Sequence, residues 1–164
     1  MAVTSSSVRP ARPDDVPQIL AMIRELAEYE REPEAVIATE ALLHDSLFCE
    51  QPAVFALIAE TEGSTVGFAL WFRNFSTWLG RHGVYLEDLY VRPEFRGQGI
   101  GKRLLVELAR ICDERGYGRL EWWVLDWNTP AWDFYESVGA IPMTEWTVHR
   151  VTGDALRNLA EEES

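Results

Sequence analysis

The pattern of apolar residues along the first half of the chain predicts a set of β-strands. Residues 8–10, Val-Arg-Pro, are expected to form a short first strand. Two longer stretches, residues 53–59 and 65–73, flank Glu62-Gly63-Ser64, a turn sequence, and so predict a β-hairpin. Residues 84–91 are mostly apolar and predict the next strand.

Apolar residues also recur at helical spacing, every three or four positions, between and after these strands. This spacing predicts helices, each near a start or stop signal. The predicted helices cover residues 16–27, 39–49, 100–112, 129–138 and 154–162. Residues 120–125 are apolar on both faces, which predicts a strand covered on both sides.

The order of these elements predicts one α/β domain around a mixed sheet. Residues 140–143 and 145–151 could add a final hairpin. We expect residues 1–6 to be a disordered tail and residues 7–164 to form the domain. A chain of 164 residues with 47% hydrophobic and 26% charged residues is typical of a globular protein of this size.

Composition narrows the environment in which we expect the chain to work. No apolar run approaches a membrane span, and the start lacks the basic and apolar regions of a secretory signal. The cysteines, Cys49 and Cys112, are far apart and predict free thiols in a reducing compartment, so we expect a cytoplasmic protein. The histidines show no ligand spacing, and we expect no metal.

The chain is strongly acidic, with a formal net charge of −12. This charge would repel a nucleic acid backbone and attract a cationic substrate. The alternative is that the acidity serves only solubility.

Three glycines within five positions separate the strand at residues 84–91 from the next helix. Residues 96–102, Arg-Gly-Gln-Gly-Ile-Gly-Lys, are named the glycine corner below. They do not match a Walker loop, because Arg96 stands where its first glycine belongs and Arg103 follows Lys102. They do not match the dinucleotide fingerprint either, because its third glycine is replaced by Lys102. Glycines at a helix start still suit a bound phosphate, although a tight turn alone would also explain them.

The flanking residues carry a resemblance to a known family. The stretch from Tyr85 to Gly101 resembles the core motif of the GCN5-related N-acetyltransferases, Arg-x-x-Gly-x-Gly. The motif positions are filled by Arg96, Gly99 and Gly101. Within that family, three further stretches resemble the spermidine/spermine (diamine) and thialysine acetyltransferases: ELAEYE at 25–30, YLEDLYV at 85–91 and LDWN at 125–128. A second motif of the family is matched at positions 127–140. The resemblance spans about residues 8–160.

The resemblance implies acetyl-CoA as donor and a mostly antiparallel mixed sheet with helices on both faces and two strands splayed at the acetyl-CoA site. It assigns acetyl-CoA to Leu89, Tyr90, Val91, Arg96, Gly97, Gln98, Gly99, Ile100, Gly101, Lys102, Asn128, Ala131 and Tyr135. Asn128 has a plainer reading as the residue just before a helix start.

Acetylating an amine requires that the amine be neutral, and freeing a lysine-like amine at neutral pH costs roughly 4–5 kcal/mol. A base, or a water chain leading to one, is therefore useful. Glu87 and Asp88 are adjacent carboxylates within an apolar strand, where a charge is costly unless it is satisfied. The resemblance makes Glu87 the base, acting through water, and Asp88 its helper. The alternative is an edge strand with solvated acids.

Tyr135 is the candidate acid that protonates the departing thiolate. The resemblance places this tyrosine near the sulfur of CoA, and a thiol has a lower reference pKa than a phenol. Spacing alone favours a core tyrosine instead, since Ala131, Phe134, Tyr135 and Val138 share one helix stripe.

The resemblance also assigns an amine pocket, formed by Tyr29, Glu30, Trp78, Glu87 and Asp88. Carboxylates would pair the ammonium and aromatic faces would hold the cationic chain. One departure weakens the case for a long polyamine: Ser76 stands two residues before Trp78, where relatives often have aspartate. Relatives also have a longer acidic loop near residues 143–146.

We therefore expect an acetyl-CoA-dependent N-acetyltransferase acting by direct transfer on a diamine, polyamine or lysine-like amine. The alternatives are acetylation of a protein lysine or N-terminus, a non-catalytic acyl-CoA sensor and, more remotely, a nucleotide-binding module. Four tryptophans near the last strand and helix are expected in the core or at a subunit interface: Trp122, Trp123, Trp127 and Trp132. The resemblance implies a homodimer. From the acidic charge and the short apolar runs, we expect neither nucleic acid nor a membrane as partner.

Overall fold

A five-stranded sheet organises the residues up to Asn128. The structure, a computed structural model, describes residues 6–162. Residues 1–5 of the predicted tail lie outside the described residues, and Ser6 is the first residue of β1. Contacts within the chain group it into two units, one up to Asn128 and one from Thr129 onward, which are described separately.

The strands follow one another across the sheet in the order of the chain, β1-β2-β3-β4-β5. The first three pairs are antiparallel, and β4 and β5 are parallel. The strands are β1 (Ser6–Pro10), β2 (Val54–Thr61), β3 (Ser64–Ser76), β4 (Arg81–Val91) and β5 (Leu120–Trp122). The mixed, mostly antiparallel sheet predicted from the sequence is therefore confirmed.

The predicted hairpin between β2 and β3 is present. Glu62 and Gly63 have φ angles of 51° and 79°. Two consecutive residues with positive φ are typical of a type I′ turn, whose twist matches that of the flanking strands. This turn sets the pairing of two of the sheet's longest strands.

Three helices belong to this first unit: α1 (Val16–Tyr29), α2 (Glu40–Phe48) and α3 (Ile100–Glu114). The hydroxyl of Thr39 accepts a hydrogen bond from the Leu42 N–H and so caps α2. α1 and α3 each bury one apolar stripe, as their spacing predicts, whereas α2 buries Leu47 and leaves Leu42 exposed.

The helices cover both faces of the sheet. Ile19 and Met22 of α1 and Leu47 of α2 pack in one cluster with Ile58 and Phe68 of the sheet. The alternate residues of the strands point to the opposite face, where α3 contacts all five strands. Leu104 and Leu108 of α3 are fully buried there. The C-terminal end of α1 and the N-terminal end of α3 both lie beside the C-terminal end of β4.

β4 and β5 stay paired for three positions only. The pairs run from Val84 with Leu120 to Leu86 with Trp122, whereas β4 continues to Val91. The predicted strand through residue 125 is thus too long, and its predicted cover on both sides is wrong: Trp123 is 60% exposed and Leu125 is 40% exposed. The last five residues of β4 have no β5 partner, which matches the expected splayed pair.

The second unit contains α4 (Thr129–Ser137) and α5 (Gly153–Glu161), both predicted. The predicted hairpin at residues 140–151 is wrong for the described chain, which has no strand there. Apolar residues in that stretch, such as Ile141 and Trp146, are exposed. Alternation alone does not hold a hairpin, because an isolated two-stranded pair is marginal without an apolar partner surface. Within residues 6–162, no helix is long and apolar enough to cross a membrane.

Candidate functional site

The glycine corner lies between the end of β4 and the start of α3. A single 3₁₀ turn, Pro93–Phe95, separates it from the strand. Gly97 and Gly99 have φ angles of 75° and 76°, a conformation that other residues rarely adopt. A Cβ added to either glycine would meet no atom within 4 Å. These glycines are therefore required by the backbone path rather than by internal packing, and the space beside them is open.

The corner is the positive end of a long helix. Gly99 is the N-cap of α3 and offers no side chain, so the first backbone N–H groups of the helix point toward the open space. Arg103 donates to the carbonyls of Ser6 and Gln98, which ties the loop to β1. A cavity of about 500 Å³ beside it is lined by Gly99, Lys102, Arg103 and Arg110, and also by Glu107, which forms an ion pair with Arg110. This arrangement favours an anion in a chain that is otherwise acidic.

Arg96 begins the corner and is held on three sides. Its Nε donates to the Val91 carbonyl over 2.8 Å. Its guanidinium lies 5.4 Å from the ring centres of both Tyr29 and Tyr90. Burial, the charge of Glu25 and a hydrogen bond to Glu25 raise the pKa of Tyr90, so this phenol stays neutral. The first residue of the loop is therefore fixed between two aromatic rings.

The main chain at the end of β4 alternates its hydrogen-bonding direction. The Arg92 N–H donates to Val66 of β3 over 2.9 Å. In an antiparallel ladder, alternate residues point the same way, so the main-chain groups of Leu89 and Val91 face away from β3. That is the side on which β5 has diverged. An extended ligand between the two strands would meet these groups.

A β-bulge interrupts β4 at Glu87. Leu86 is opposite Trp71, and Asp88 is opposite Leu70, which leaves Glu87 as the extra residue. The bulge therefore interrupts the regular alternation of side chains between the two faces of the strand. Glu87 is exposed, while Asp88 is half-buried on the face that α1 covers. Bulges of this kind re-aim side chains next to functional sites.

Three carboxyl groups gather at this bulge. Burial, followed by the charges of Glu87 and Glu30, raises the pKa of Asp88 to about 7. Burial also raises the pKa of Glu30, which follows the last residue of α1. A nearby cation would reverse the shifts of both Asp88 and Glu30. The cluster is chemically suited to bind a cation or to exchange a proton near neutral pH.

Trp78 is not brought to this cluster. It lies in the turn between β3 and β4 and is 88% exposed. Arg81, the first residue of β4, precedes Glu87 by six residues, which is about 20 Å along a strand. The structure therefore separates this predicted pocket residue from Glu30, Glu87 and Asp88.

Asn128 lies after β5, at the end of a turn closed by its N–H and the Leu125 carbonyl over 2.9 Å. Its Oδ1 accepts a hydrogen bond of 2.9 Å from the Tyr29 hydroxyl. Trp127 packs with its ring centre 5.9 Å from that of Tyr29, and the Arg31 guanidinium lies 4.4 Å from the Trp127 ring centre. The contact between Arg31 and Trp127 was not predicted from the sequence, because nothing in the spacing of these two residues indicates it.

The predicted tryptophan cluster is not a buried core. Trp123 and Trp127 are exposed, and Trp122 and Trp132 are half-buried. In the second unit, Ala131 and Tyr135 lie one turn apart on α4, and both are half-buried. The Tyr135 ring contacts that of Phe134, with centres 5.3 Å apart. Among the described residues, no group of three or more acidic, histidine or cysteine side chains could hold a metal ion.

Comparison with known proteins identifies the type of domain. The model of the acetyltransferase (GNAT) family matches residues 19–140. The fold is also similar to solved structures. An integron cassette protein from V. cholerae aligns with a TM-score of 0.80 and 28% identity, over 96% of this chain and 99% of that one. An aminoglycoside acetyltransferase from a soil metagenome, at 21% identity, shares the fold with a TM-score of 0.74, over 90% of this chain and 95% of that one.

Curated relatives align over nearly the whole chain. A thialysine N-epsilon-acetyltransferase of Sus scrofa is 41% identical, covering 96% of this chain and 99% of the relative. The protein of the same name from Caenorhabditis elegans is 37% identical, covering 92% and 94%. An L-ornithine N5-acetyltransferase of Arabidopsis thaliana is 32% identical, covering 94% and 87%.

Proposed function

The chain belongs to the acetyltransferase (GNAT) family and is an N-acetyltransferase, and from this we propose that it acetylates a primary amine of a small cationic substrate. The donor is acetyl-CoA, and transfer is direct, within a complex that holds both substrates. The carboxyl cluster of Glu30, Glu87 and Asp88 carries the proposal, because these acids would attract a cation and two of them lie on the strand that leads into the glycine corner.

The glycine corner fits the pyrophosphate of the donor. Open space at Gly97 and Gly99, the N-terminus of α3 and the nearby cations all favour a bound diphosphate. Backbone N–H groups from Arg96 to Lys102 would hold it. The outward main-chain groups of Leu89 and Val91 would bind the acyl and pantetheine portions, with Asn128 across the gap.

In this proposal, bound acetyl-CoA supplies a thioester carbonyl, at which a C–N bond to the amine forms while the C–S bond breaks. Glu87, exposed at the bulge, accepts the ammonium proton through water and leaves the nitrogen lone pair free. Asp88 and Glu30 bind and orient the cation. Tyr135 donates its phenolic proton to the thiolate that departs and regains a proton from the second one that the acylated nitrogen loses.

The relatives support an amine of the lysine or ornithine type. Their names specify thialysine and L-ornithine as substrates, and both molecules carry a primary amine on a short chain. Ser76, at the position where relatives often have aspartate, also disfavours a long polyamine. Tyr29, next to Glu30, provides an aromatic face for the chain of the substrate.

We also propose that the protein works as a homodimer in the cytoplasm. Trp78 is exposed in the turn before β4, and about 20 Å of that strand separates the turn from Glu87, so Trp78 is available to the pocket of a second copy. Cys49 and Cys112 are free thiols, as expected for a reducing compartment.

The test is thiol release from acetyl-CoA across a panel of amines: thialysine, lysine, ornithine, putrescine, spermidine, spermine and a lysine-containing peptide. We expect the fastest release with a small diamino acid. Glu87→Gln should lower that rate by about 100-fold or more, since a base is lost, with Glu34→Gln as an exposed control. Release with the peptide alone would replace this proposal by protein acetylation. No release with any amine, in a protein that binds acetyl-CoA, would favour an acyl-CoA sensor.

A further inference from the structure

We infer that Tyr29 and Arg31, at the end of α1, position Asn128 for the donor. The inference rests on the proposed binding of acetyl-CoA beside Asn128. The four residues Tyr29, Arg31, Trp127 and Asn128 are named the α1 clasp. Arg31 has no role in the proposed acetyl transfer itself. Tyr29 has two roles, because its ring faces the amine and its hydroxyl serves the donor site.

The clasp is held by contacts of different kinds. The Tyr29 hydroxyl donates to Asn128 Oδ1 over 2.9 Å. The Tyr29 ring packs against that of Trp127, and the Arg31 guanidinium covers the Trp127 ring at 4.4 Å from its centre. These contacts join residues about 100 positions apart in the sequence, and they hold a surface turn that has no regular strand or helix of its own.

The hydrogen bond from Tyr29 determines which way the Asn128 amide points. An asparagine side chain has one accepting oxygen and one donating NH₂ group. A hydroxyl that donates to Oδ1 directs Nδ2 to the opposite side. Asn128 then presents two N–H donors in a fixed direction, as a carbonyl group of an extended donor arm requires. Without Tyr29, the amide could rotate and present its oxygen to that carbonyl.

Arg31 adopts a backbone conformation that is costly for arginine. Its φ angle is 66°, at the position after the end of α1 where glycine is preferred. The Glu32 N–H donates back to the Ala27 carbonyl over 2.9 Å, the hydrogen bond of a Schellman motif. Helix termination alone would favour glycine here. An arginine at this position therefore indicates a use for its side chain, and the contact that the structure shows is Trp127.

Tyr29 also reaches the other side of the gap between β4 and β5. Its ring lies 5.4 Å from the Arg96 guanidinium, at the start of the glycine corner. Arg96 follows β4, and Asn128 follows β5. One side chain thus contacts both borders of the space in which the donor arm would lie. Its neighbour Glu30 belongs to the carboxyl cluster, so the clasp also connects the amine pocket to the donor site.

Tyr29→Phe tests the hydrogen bond, because it keeps the ring and removes the hydroxyl. We expect the Kd of acetyl-CoA, measured by calorimetry, to rise about 3- to 10-fold, as for one lost hydrogen bond. The KM of the amine should change less than about twofold, since the aromatic face is retained. The control is Tyr117→Phe, a tyrosine beyond the far end of α3. An unchanged Kd for acetyl-CoA, or an effect on the amine alone, would overturn the inference.

Arg31→Gly separates positioning from stability. Glycine suits a φ of 66° better than arginine does, so the melting temperature should stay equal or rise. The Kd of acetyl-CoA should nevertheless increase about 2- to 5-fold, because Trp127 loses its cation. Arg31→Lys should restore most of the affinity. A variant that is more stable and binds acetyl-CoA as tightly as the original protein would show that Arg31 has no part in the site.

A double-mutant cycle distinguishes this inference from the proposed function. If Tyr29 acts through Asn128, Tyr29→Phe should have little further effect on acetyl-CoA affinity in an Asn128→Ala background. Fully additive effects would overturn the clasp while leaving the acetyltransferase proposal intact. If the unmodified protein itself fails to bind acetyl-CoA, the proposed function fails, and the clasp fails with it.

Discussion

Asp88 illustrates how one residue's chemistry depends on its surroundings. It lies in an apolar strand beside a bulge, half-buried, with Glu87 next to it and Glu30 across from it. These surroundings raise its pKa to about 7, which places its charge under the control of ordinary changes in pH. A bound ammonium group would reverse that shift, so substrate and proton compete for the same carboxyl.

The amine KM should therefore depend on Asp88 and on pH. Below about pH 7 the carboxyl is neutral, and above it is an anion, so the KM of the amine should fall as pH rises from about 6 to about 8. Initial rates over this range measure the effect. In Asp88→Asn, the KM should be higher at pH 8 and nearly independent of pH. A profile unchanged by that substitution would assign the titration to another group.

The same carboxyl should destabilise the fold at high pH. The pKa of Asp88 is higher in the folded protein than in the unfolded chain, so the folded state binds more protons between about pH 4 and pH 7. The free energy of unfolding therefore falls as pH rises through this range. Asp88→Asn should gain about 1–2 kcal/mol in urea unfolding at pH 8, and less at pH 5.5. Glu34→Gln, at an exposed site, is the matched control. A loss of stability at pH 8 would contradict this assignment.

Tyr135 is the second residue whose role can be isolated. Tyr135→Phe removes only the hydroxyl of a half-buried ring. If this hydroxyl protonates the thiolate, kcat should fall by about 100-fold or more, and the Kd of acetyl-CoA should stay within about twofold. Stopped-flow thiol release and calorimetry measure the two quantities. An unchanged kcat would leave Tyr135 as a packing residue of α4.

At the scale of elements, the site depends on where regular structure stops. β4 bulges at Glu87, outlasts its pairing with β5 after Leu86, and passes through two left-handed glycines into α3. The bulge leaves the Glu87 carboxylate exposed, and the early end of β5 leaves main-chain donors and acceptors of β4 without a partner in that strand. The glycines leave the first N–H groups of α3 open to a ligand. The surrounding helices and strands hold these freed groups in place.

The two left-handed glycines Gly99 and Gly63 offer a matched pair. Their φ angles are 76° and 79°, and neither has an atom within 4 Å of an added Cβ. Alanine at either position should cost about 1 kcal/mol of stability, because of the same backbone strain. Only Gly99→Ala should also weaken the binding of acetyl-CoA, with a Kd that rises about 10-fold or more. Gly99→Glu should abolish this binding, because it places a negative charge at the pyrophosphate. Equal acetyl-CoA affinity in the two alanine variants would place the donor elsewhere.

At the scale of the molecule, charge is unevenly distributed. The chain has a net charge of −12, yet one cavity beside α3 is lined by Lys102, Arg103 and Arg110, together with an acid, Glu107, that is paired to Arg110. Glu30, Glu87 and Asp88 form a separate acidic cluster. An anionic donor and a cationic acceptor would therefore each find a complementary surface, while the net charge attracts the acceptor from a distance.

This long-range attraction predicts a salt effect. Raising NaCl from about 0.02 to 0.3 M shortens the screening length severalfold and should raise the KM of a cationic amine about 2- to 5-fold. The effect should be steeper for spermine than for thialysine, because spermine carries more positive charge. Initial rates at fixed saturating acetyl-CoA measure it. If neither amine responds to salt, the acidity serves solubility alone.

The sequence by itself determined the order and type of most elements. The periodicity of α1 and α3, the Glu62-Gly63 turn and the glycine corner are local signals, and local signals are enough to predict a helix, a hairpin or a strand-to-helix turn. The same motifs indicated the family, which the comparisons confirmed. Glu87 and Asp88 are recognisable from the sequence alone as acids within an apolar strand.

Only the tertiary structure decided how these residues relate to one another. The bulge at Glu87, the early end of β5 and the absence of the predicted hairpin within the described residues 140–151 depend on which strands find partners. The raised pKa of Asp88 comes first from burial and then from the charges of Glu87 and Glu30. The clasp joins Arg31 to Trp127. Such contacts link positions far apart in the chain. No periodicity encodes them, because they follow from how elements pack and not from the propensities of neighbouring residues.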